Sequence, residues 1–198
     1  MLPNYFVYVA FALNIIGMLG YVFTTLKGVS KPNRVTWFFW FVIPLITFSA
    51  QLSEGVGTQS LLTLSASVGP FLVLVSSFFN KKAYWKTVKS DFVLAGFVIL
   101  IIVLWQLTQD ATLAIFLSIL ADALAGFPTM KKCFTHPETE NFHAYGLSFI
   151  SSIITILTIE NWNFANYSFP LYLTASVGIM MLLIYFAKKR QRAAGHAS

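Results

Sequence analysis

Residues 62–69 read Leu-Thr-Leu-Ser-Ala-Ser-Val-Gly, and residues 171–178 read Leu-Tyr-Leu-Thr-Ala-Ser-Val-Gly, so six of eight positions are identical. These two octapeptides lie in the third and the seventh long apolar runs of the chain. A second correspondence joins the earlier runs of each half at a separation of 105 positions. It aligns Thr24 with Thr129, Lys27 with Lys132, Pro32 with Pro137, Trp37 with Phe142 and Trp40 with Tyr145. The sequence therefore predicts two three-helix repeats joined by one linking helix.

The composition is typical of an integral membrane protein. The 198 residues are 57% hydrophobic and only 10% charged, which leaves too little polar surface for a soluble globule. Seven apolar runs each have about the 17 to 25 residues that cross a bilayer. We predict an all-α polytopic fold with seven transmembrane helices, at residues 5–26, 35–52, 60–79, 92–107, 111–130, 142–158 and 169–187.

The basic residues predict the orientation of the chain in the membrane. All thirteen Lys and Arg residues fall into four segments, at 27–34, 81–89, 131–132 and 188–192, and two apolar runs separate each segment from the next. Alternating helices then place all four segments on one side. Because positive loops are retained in the cytoplasm, the N-terminus is expected outside and the C-terminus inside. We expect these side chains to contact anionic lipid headgroups, and no basic stripe is left for nucleic acid.

Because a single helix links the two three-helix repeats, both repeats are expected to cross the membrane in the same direction. The predicted units are the first repeat at 1–82, the linking helix at 83–108, the second repeat at 109–190 and a cytoplasmic tail at 191–198. Parallel repeats with a substrate site near mid-membrane are found among transporters. Alternatively, the similarity between the two halves is a coincidence, because runs of small residues are common in membrane helices.

The pattern resembles the superfamily of SWEET sugar facilitators and PQ-loop proteins, whose relatives include nicotinamide-riboside-type vitamin transporters and the KDEL-receptor fold. Phe127-Pro128-Thr129 and the segment Pro-Glu-Thr-Glu-Asn at 137–141 are similar to the proline-centred end of a repeat's first helix and the loop after it. The resemblance implies a hinge at Pro128, with Thr129 where the family has glutamine. Phe23 stands at the matching position of the first half, and Pro44 is a further hinge candidate. Sugar carriers of the superfamily place asparagine in each third helix, where this chain has Ser and Thr.

Asp122 is the one formally charged residue within the seven predicted spans. A carboxylate facing lipid is costly, so we expect it to face the interior of the bundle. It is a candidate proton acceptor, or a binder of the amine or hydroxyls of a substrate. Alternatively, it clamps two helices through a hydrogen bond. His143, which lies within the sixth span, could pair with Asp122 as a proton sensor or could be an interfacial group.

Polar and aromatic faces that match across the repeats predict the lining of a route. Trp37, Trp40 and Pro44 share one face of the second helix, where the aromatic rings could stack on a sugar or a heteroaromatic base. The alternative for both tryptophans is anchoring at the headgroup belt. The residues predicted to bind substrate are Asn14, Trp37, Trp40, Ser67, Asp122, Tyr145, Tyr172 and Ser176.

These features predict a transporter that moves a small polar solute, such as a sugar, a vitamin or nucleoside, or an amino-acid-like molecule, by alternating access. Proton coupling would act through Asp122. A receptor of the KDEL-receptor type, which binds without net transport, is the alternative. We expect no enzyme activity, no metal and no cofactor, because no catalytic or ligand motif is spaced for them. The expected location is a bacterial inner membrane, and homo-oligomerisation is left open.

Overall fold

The computed structural model describes residues 1–108 and 110–195. Within these ranges the chain forms seven α-helices, a short 3-10 turn at Pro137–Thr139 and no β-strand, so the all-helical prediction is confirmed. The helices are α1 (Phe6–Leu26), α2 (Arg34–Ser53), α3 (Ser60–Phe79), α4 (Lys89–Thr108), α5 (Ala111–Thr135), α6 (Phe142–Leu157) and α7 (Phe164–Gly195).

Five helices, α1, α2, α3, α5 and α7, are long and apolar enough to cross a membrane. Their length and composition indicate an integral membrane protein. Helix α6 is apolar but has only 16 residues, which rise about 24 Å at 1.5 Å per residue. Helix α7 continues through 191–195 of the predicted tail, and residues 196–198 lie outside the described part of the chain.

Asparagine and aspartate side chains begin three of the helices, as N-cap residues commonly do. Asn33 Oδ1 accepts a hydrogen bond from the Val35 backbone N–H at 3.0 Å before α2. Asp110 Oδ1 accepts one from Leu113 at 2.9 Å before α5. Asn141 has the same role at the start of α6. These caps place the helix starts within one or two residues of those predicted from the apolar runs.

The helices pack in the same order in both halves of the chain. Helix α3 packs against both α1 and α2, which make little contact with each other, and α7 packs in the same way against α5 and α6. Across the centre, α1 packs against α6 and α2 packs against α5. Helix α4 contacts mainly α5 and therefore lies at the periphery of the bundle.

Glycine allows α1 and α3 to approach closely. A Cβ atom at Gly69 would lie 2.3 Å from Met18 Cγ. Gly17 has a similar place between α1 and α6, where a Cβ would lie 3.0 Å from the Ala144 carbonyl oxygen. Small residues at such crossings let membrane helices pack backbone to backbone.

The four basic segments meet at one end of the bundle, which we call the basic end. Backbone hydrogen bonds and one cation–π contact join them. The contacts are Lys31 N–H to Thr139 O at 3.0 Å, Trp85 N–H to Pro32 O at 3.0 Å, and the Arg190 guanidinium 4.6 Å from the Phe134 ring centre. At the opposite end Gln59 Nε2 donates to the Thr158 carbonyl at 3.2 Å.

Candidate functional site

A narrow cavity lies in the centre of the bundle, between α1–α3 and α5–α7. The space open to the centres of water molecules is about 50 Å³. One water needs about 10–15 Å³ by this measure, so the cavity has room for a few waters and not for a sugar. Seven of the predicted functional residues line it, namely Asn14, Trp37, Trp40, Pro44, Asp122, Tyr145 and Ser176.

Asp122 supplies the carboxylate of the cavity wall. Its side chain is only 5% exposed. Tyr172 Oη, on α7, donates to Asp122 Oδ2 at 2.6 Å. Oδ1 has no hydrogen-bond partner among the described residues. A buried acceptor without a partner costs about 1–3 kcal/mol, so this oxygen is suited to take a proton or a donor group of a ligand.

Tyr172 therefore contacts the candidate site through Asp122, although it does not itself line the cavity. The hydrogen bond joins α5 to α7, which is the clamp that the sequence left as an alternative. The hydrogen bond from Tyr172 occupies Oδ2 of Asp122, and Oδ1 remains available to a proton or a ligand. Both roles predicted for Asp122 are therefore compatible in this geometry.

Two of the predicted binding residues already have internal partners. Asn14 Nδ2 donates to Ser65 Oγ at 2.7 Å, and Asn14 Oδ1 accepts from Ser148 Oγ at 2.6 Å. These bonds tie α1 to α3 and α6. Ser67 Oγ donates to the Phe41 carbonyl at 2.7 Å and is not part of the cavity wall.

The two tryptophans of α2 are buried rather than at the surface of the bundle. Trp37 has no exposed area, and its ring centre lies 5.3 Å from that of Trp40. Trp40 Nε1 approaches the Asp122 carbonyl oxygen at 3.4 Å. Trp37 Nε1 has no hydrogen-bond partner within the part of the chain that the structure describes. This placement brings both rings to the cavity rather than to the outer surface of the bundle.

His143 is not brought to Asp122. Its side chain is exposed in a surface groove with Lys188, Lys189 and Arg192. The reason is helical geometry, because His143 precedes the cavity residue Tyr145 by two positions and therefore points to nearly the opposite side of α6.

The predicted hinge residues differ in position. Pro44 lines the cavity, whereas Pro128 lies inside α5, which continues past it to Thr135. Thr129 is buried, and its hydroxyl has no partner among the residues described. A proline inside a helix removes one backbone hydrogen bond, so both positions are places where a helix can bend.

A buried polar cluster at the basic end was not found from the sequence. Lys132 Nζ lies 2.5 Å from Glu140 Oε1, and both side chains are at most 1% exposed. Tyr21 Oη and Tyr145 Oη both donate to Glu140 Oε2, at 2.8 and 2.7 Å. Lys132 Nζ also donates to the Lys31 carbonyl oxygen. We call Tyr21, Lys132, Glu140 and Tyr145 the latch.

The sequence did contain a signal for the latch. Lys132 aligns with Lys27 of the first half, but the separation of 105 positions aligns Glu140 with Val35. A carboxylate thus follows the matched lysine in one half alone. The sequence instead predicts contact of Lys132 with anionic lipid headgroups, because this residue belongs to one of the four basic segments.

The candidate site offers no evident metal ligands. No three His, Cys, Asp or Glu side chains lie together among residues 1–108 and 110–195.

Comparisons with protein families, curated proteins and solved structures gave no match to this chain.

Proposed function

We propose that the protein is a membrane transporter that moves a small polar solute by alternating access between two three-helix halves. One observation carries the proposal: the central cavity between the halves is lined by a buried carboxylate, one oxygen of which has no hydrogen-bond partner among the described residues. Convergent polar groups in a mostly apolar central cavity are the usual form of a small-molecule site. The proposed setting is a bacterial inner membrane.

The packing order supports the proposed pair of parallel repeats. In each half the third helix packs against the other two, and the cross contacts are α1 with α6 and α2 with α5. These reciprocal contacts are expected of two units related by an axis along the membrane normal. Together with the linking helix, they favour the SWEET/PQ-loop-like architecture. The basic end would face the cytoplasm, because positive loops are retained there.

The latch and the narrow cavity support alternating access. Tyr21 belongs to the first half and donates to Glu140 of the second, so the latch holds the halves together at the basic end. At the other end, Gln51 Nε2 donates to the Ala165 carbonyl at 2.9 Å and also joins the halves. Because contacts join both ends and little free space lies between them, we assign this conformation to a closed state of the proposed transport cycle. Binding a solute would require the helices to separate.

Proton coupling is proposed to act through Asp122. Its free oxygen could take up a proton, while Tyr172 would keep the side chain in place in either protonation state. A coupled carrier requires the protonated and charged forms to prefer different conformations. The location of Asp122 at the interface of the halves makes such a preference available.

Uptake into proteoliposomes tests the proposal. A pool of sugars, nucleosides, vitamins, amines and amino acids would be measured by mass spectrometry, with and without an inward proton gradient. We expect accumulation that requires the gradient and is abolished in Asp122→Asn. Asp110→Asn is the matched control, since it makes the same change at the exposed start of the same helix and asparagine also caps helices.

Two other outcomes would change the assignment. Equilibration without dependence on the gradient would indicate a facilitator. Binding of a solute without flux would indicate the alternative, a seven-helix receptor with a KDEL-receptor-like fold.

A further inference from the structure

We propose that the central cavity binds a small organic cation, namely a protonated amine with an apolar or aromatic body that carries one hydrogen-bond acceptor. The binding part of this inference rests on the groups that line the cavity, which must widen to admit any solute because it has room for only a few waters. Its role as cargo rests on the proposed transport function.

The charge of the cavity favours a cation. Asp122 is the one formally charged residue in the wall, and no Lys, Arg or His is among the described residues that line it. The partner of Asp122 is the neutral Tyr172 hydroxyl, which leaves Oδ1 free. A carboxylate in an apolar enclosure needs a proton or a cation close by. An ammonium group would supply both a charge and a hydrogen-bond donor.

The aromatic wall favours the same kind of ligand. Trp37, Trp40, Tyr145 and Phe169 contribute rings to the cavity. The faces of aromatic rings carry partial negative charge and attract cations. The Asp122 carboxylate repels an anion, and a carboxylate-bearing zwitterion would find no cationic partner among the described residues of the wall.

The cavity wall contains a second buried polar group without a partner among the described residues, and this group is a hydrogen-bond donor. The Trp37 side chain has no exposed area, and its indole N–H has no acceptor among the described residues. A buried donor is stabilised when a ligand brings an acceptor to it. We infer that the body of the ligand carries such an acceptor, for example an ether, carbonyl or ring nitrogen.

A polyhydroxylated ligand fits this wall poorly. Both ends of the Asn14 amide bond to neighbouring serines, and the Ser148 hydroxyl donates its proton to Asn14. Few polar groups are left to replace the water that a sugar would lose on entering. Unpaired ligand hydroxyls in an apolar site reduce binding strongly.

Equilibrium binding to the full-length protein in lipid nanodiscs tests the inference. The probes are 4-methoxybenzylamine, the neutral 4-methoxybenzyl alcohol, the anionic 4-methoxybenzoate and glucose, together with a panel of primary to quaternary alkyl and aryl amines. We expect the best amine to bind at least about tenfold more tightly than its neutral counterpart, because hydrogen bonds between charged groups are stronger than those between neutral ones. The benzoate and glucose should not bind.

Three variants assign the binding to its residues. Asp122→Asn should weaken the amine at least about tenfold and leave the alcohol unchanged, whereas Asp110→Asn should change neither. The unmodified protein should bind 4-methoxybenzylamine more tightly than 4-methylbenzylamine, which lacks the ether acceptor. Trp37→Phe keeps an aromatic ring but removes the N–H, so it should remove this preference.

Several results would overturn the inference. They are equal affinity for amine and alcohol, no binding by any amine of the panel, or amine binding that Asp122→Asn leaves intact. Binding of Na⁺ that depends on Asp122 and is not displaced by amines would instead make the carboxylate an inorganic cation site. Amine binding without uptake would refute the proposed transport function but would support an organic cation as the ligand. Uptake of a neutral or anionic solute that amines do not inhibit would refute the ligand class and leave the transporter.

Discussion

Lys132 Nζ lies 2.5 Å from Glu140 Oε1 in a place that solvent does not reach. A buried ion pair is stable only when further hydrogen bonds offset the lost hydration of both charges. Two tyrosine hydroxyls and the Lys31 carbonyl provide them here. Removing one charge from the latch would therefore leave the other buried without its counter-charge.

Loss of the Glu140 charge should destabilise the protein. We expect Glu140→Gln to lower the free energy of unfolding by about 3–5 kcal/mol, because it leaves Lys132 buried without a counter-charge. Unfolding of the purified protein in detergent, followed by circular dichroism, measures this. The double variant Lys132→Met with Glu140→Gln removes both charges and should recover most of the loss. If the double variant is as unstable as the sum of the single ones, the two charges do not stabilise each other.

Weakening the latch should open the basic end. Cys133, the single cysteine, is buried beside Lys132 and reports on this opening. Tyr21→Phe or Tyr145→Phe removes one hydrogen bond to a charged acceptor, worth about 1.5–3 kcal/mol, and should raise the rate of maleimide labelling at Cys133 at least about tenfold. Tyr8→Phe, at an exposed position of α1, is the control and should not change the rate. Equal labelling rates in all four proteins would show that the latch does not restrict access.

The contact between α1 and α3 should not tolerate a larger residue at Gly69. A Cβ atom there meets Met18 Cγ at 2.3 Å, so we expect Gly69→Ala to cost about 1–3 kcal/mol of stability through overpacking. Gly20→Ala is the control, because nothing lies within 4 Å of its Cβ position. Thermal unfolding compares the two variants, and Met18→Ala should relieve the effect of Gly69→Ala. A Gly69→Ala protein as stable as the control would mean that the helices move apart at little cost.

The proposed orientation predicts which loops face the cell exterior. In a Cys133→Ala background, we expect Glu54→Cys to react with a membrane-impermeant thiol reagent on intact cells, because it lies at the end opposite the basic segments. Lys81→Cys, at the basic end, should react only after the membrane is opened. Mass spectrometry of the labelled protein reads both positions. The reverse pattern would invert the proposed topology.

Apolar runs and their spacing predicted the seven helices, and the predicted polar and aromatic faces contain seven of the fifteen residues that line the cavity. Trp40 and Tyr145, aligned by the repeat, both line the cavity. Such features depend on helical periodicity, which is local and can be read from one segment at a time. The pairing of Asp122 was not predictable in the same way, because it depends on which helix lies opposite, and the structure places Tyr172 there and not His143.

The latch was missed for a related reason. Tyr21 and Glu140 are 119 positions apart, and no local pattern indicates that they meet. A lysine next to a membrane span usually points to water or headgroups. Here the Lys31 carbonyl and the Glu140 carboxylate replace that solvation. Lys132 is therefore buried, although its position in the sequence is typical of a surface lysine.

The same separation along the chain sets an order for biogenesis. When the ribosome has completed the first three helices, Tyr21 has no carboxylate to bond, since Glu140 is still 119 residues behind it. The Tyr21 hydroxyl cannot make this hydrogen bond until α5 and the loop that follows it have been synthesised. A chain truncated before Glu140 would therefore lack the acceptor that joins Tyr21 of the first half to the second half.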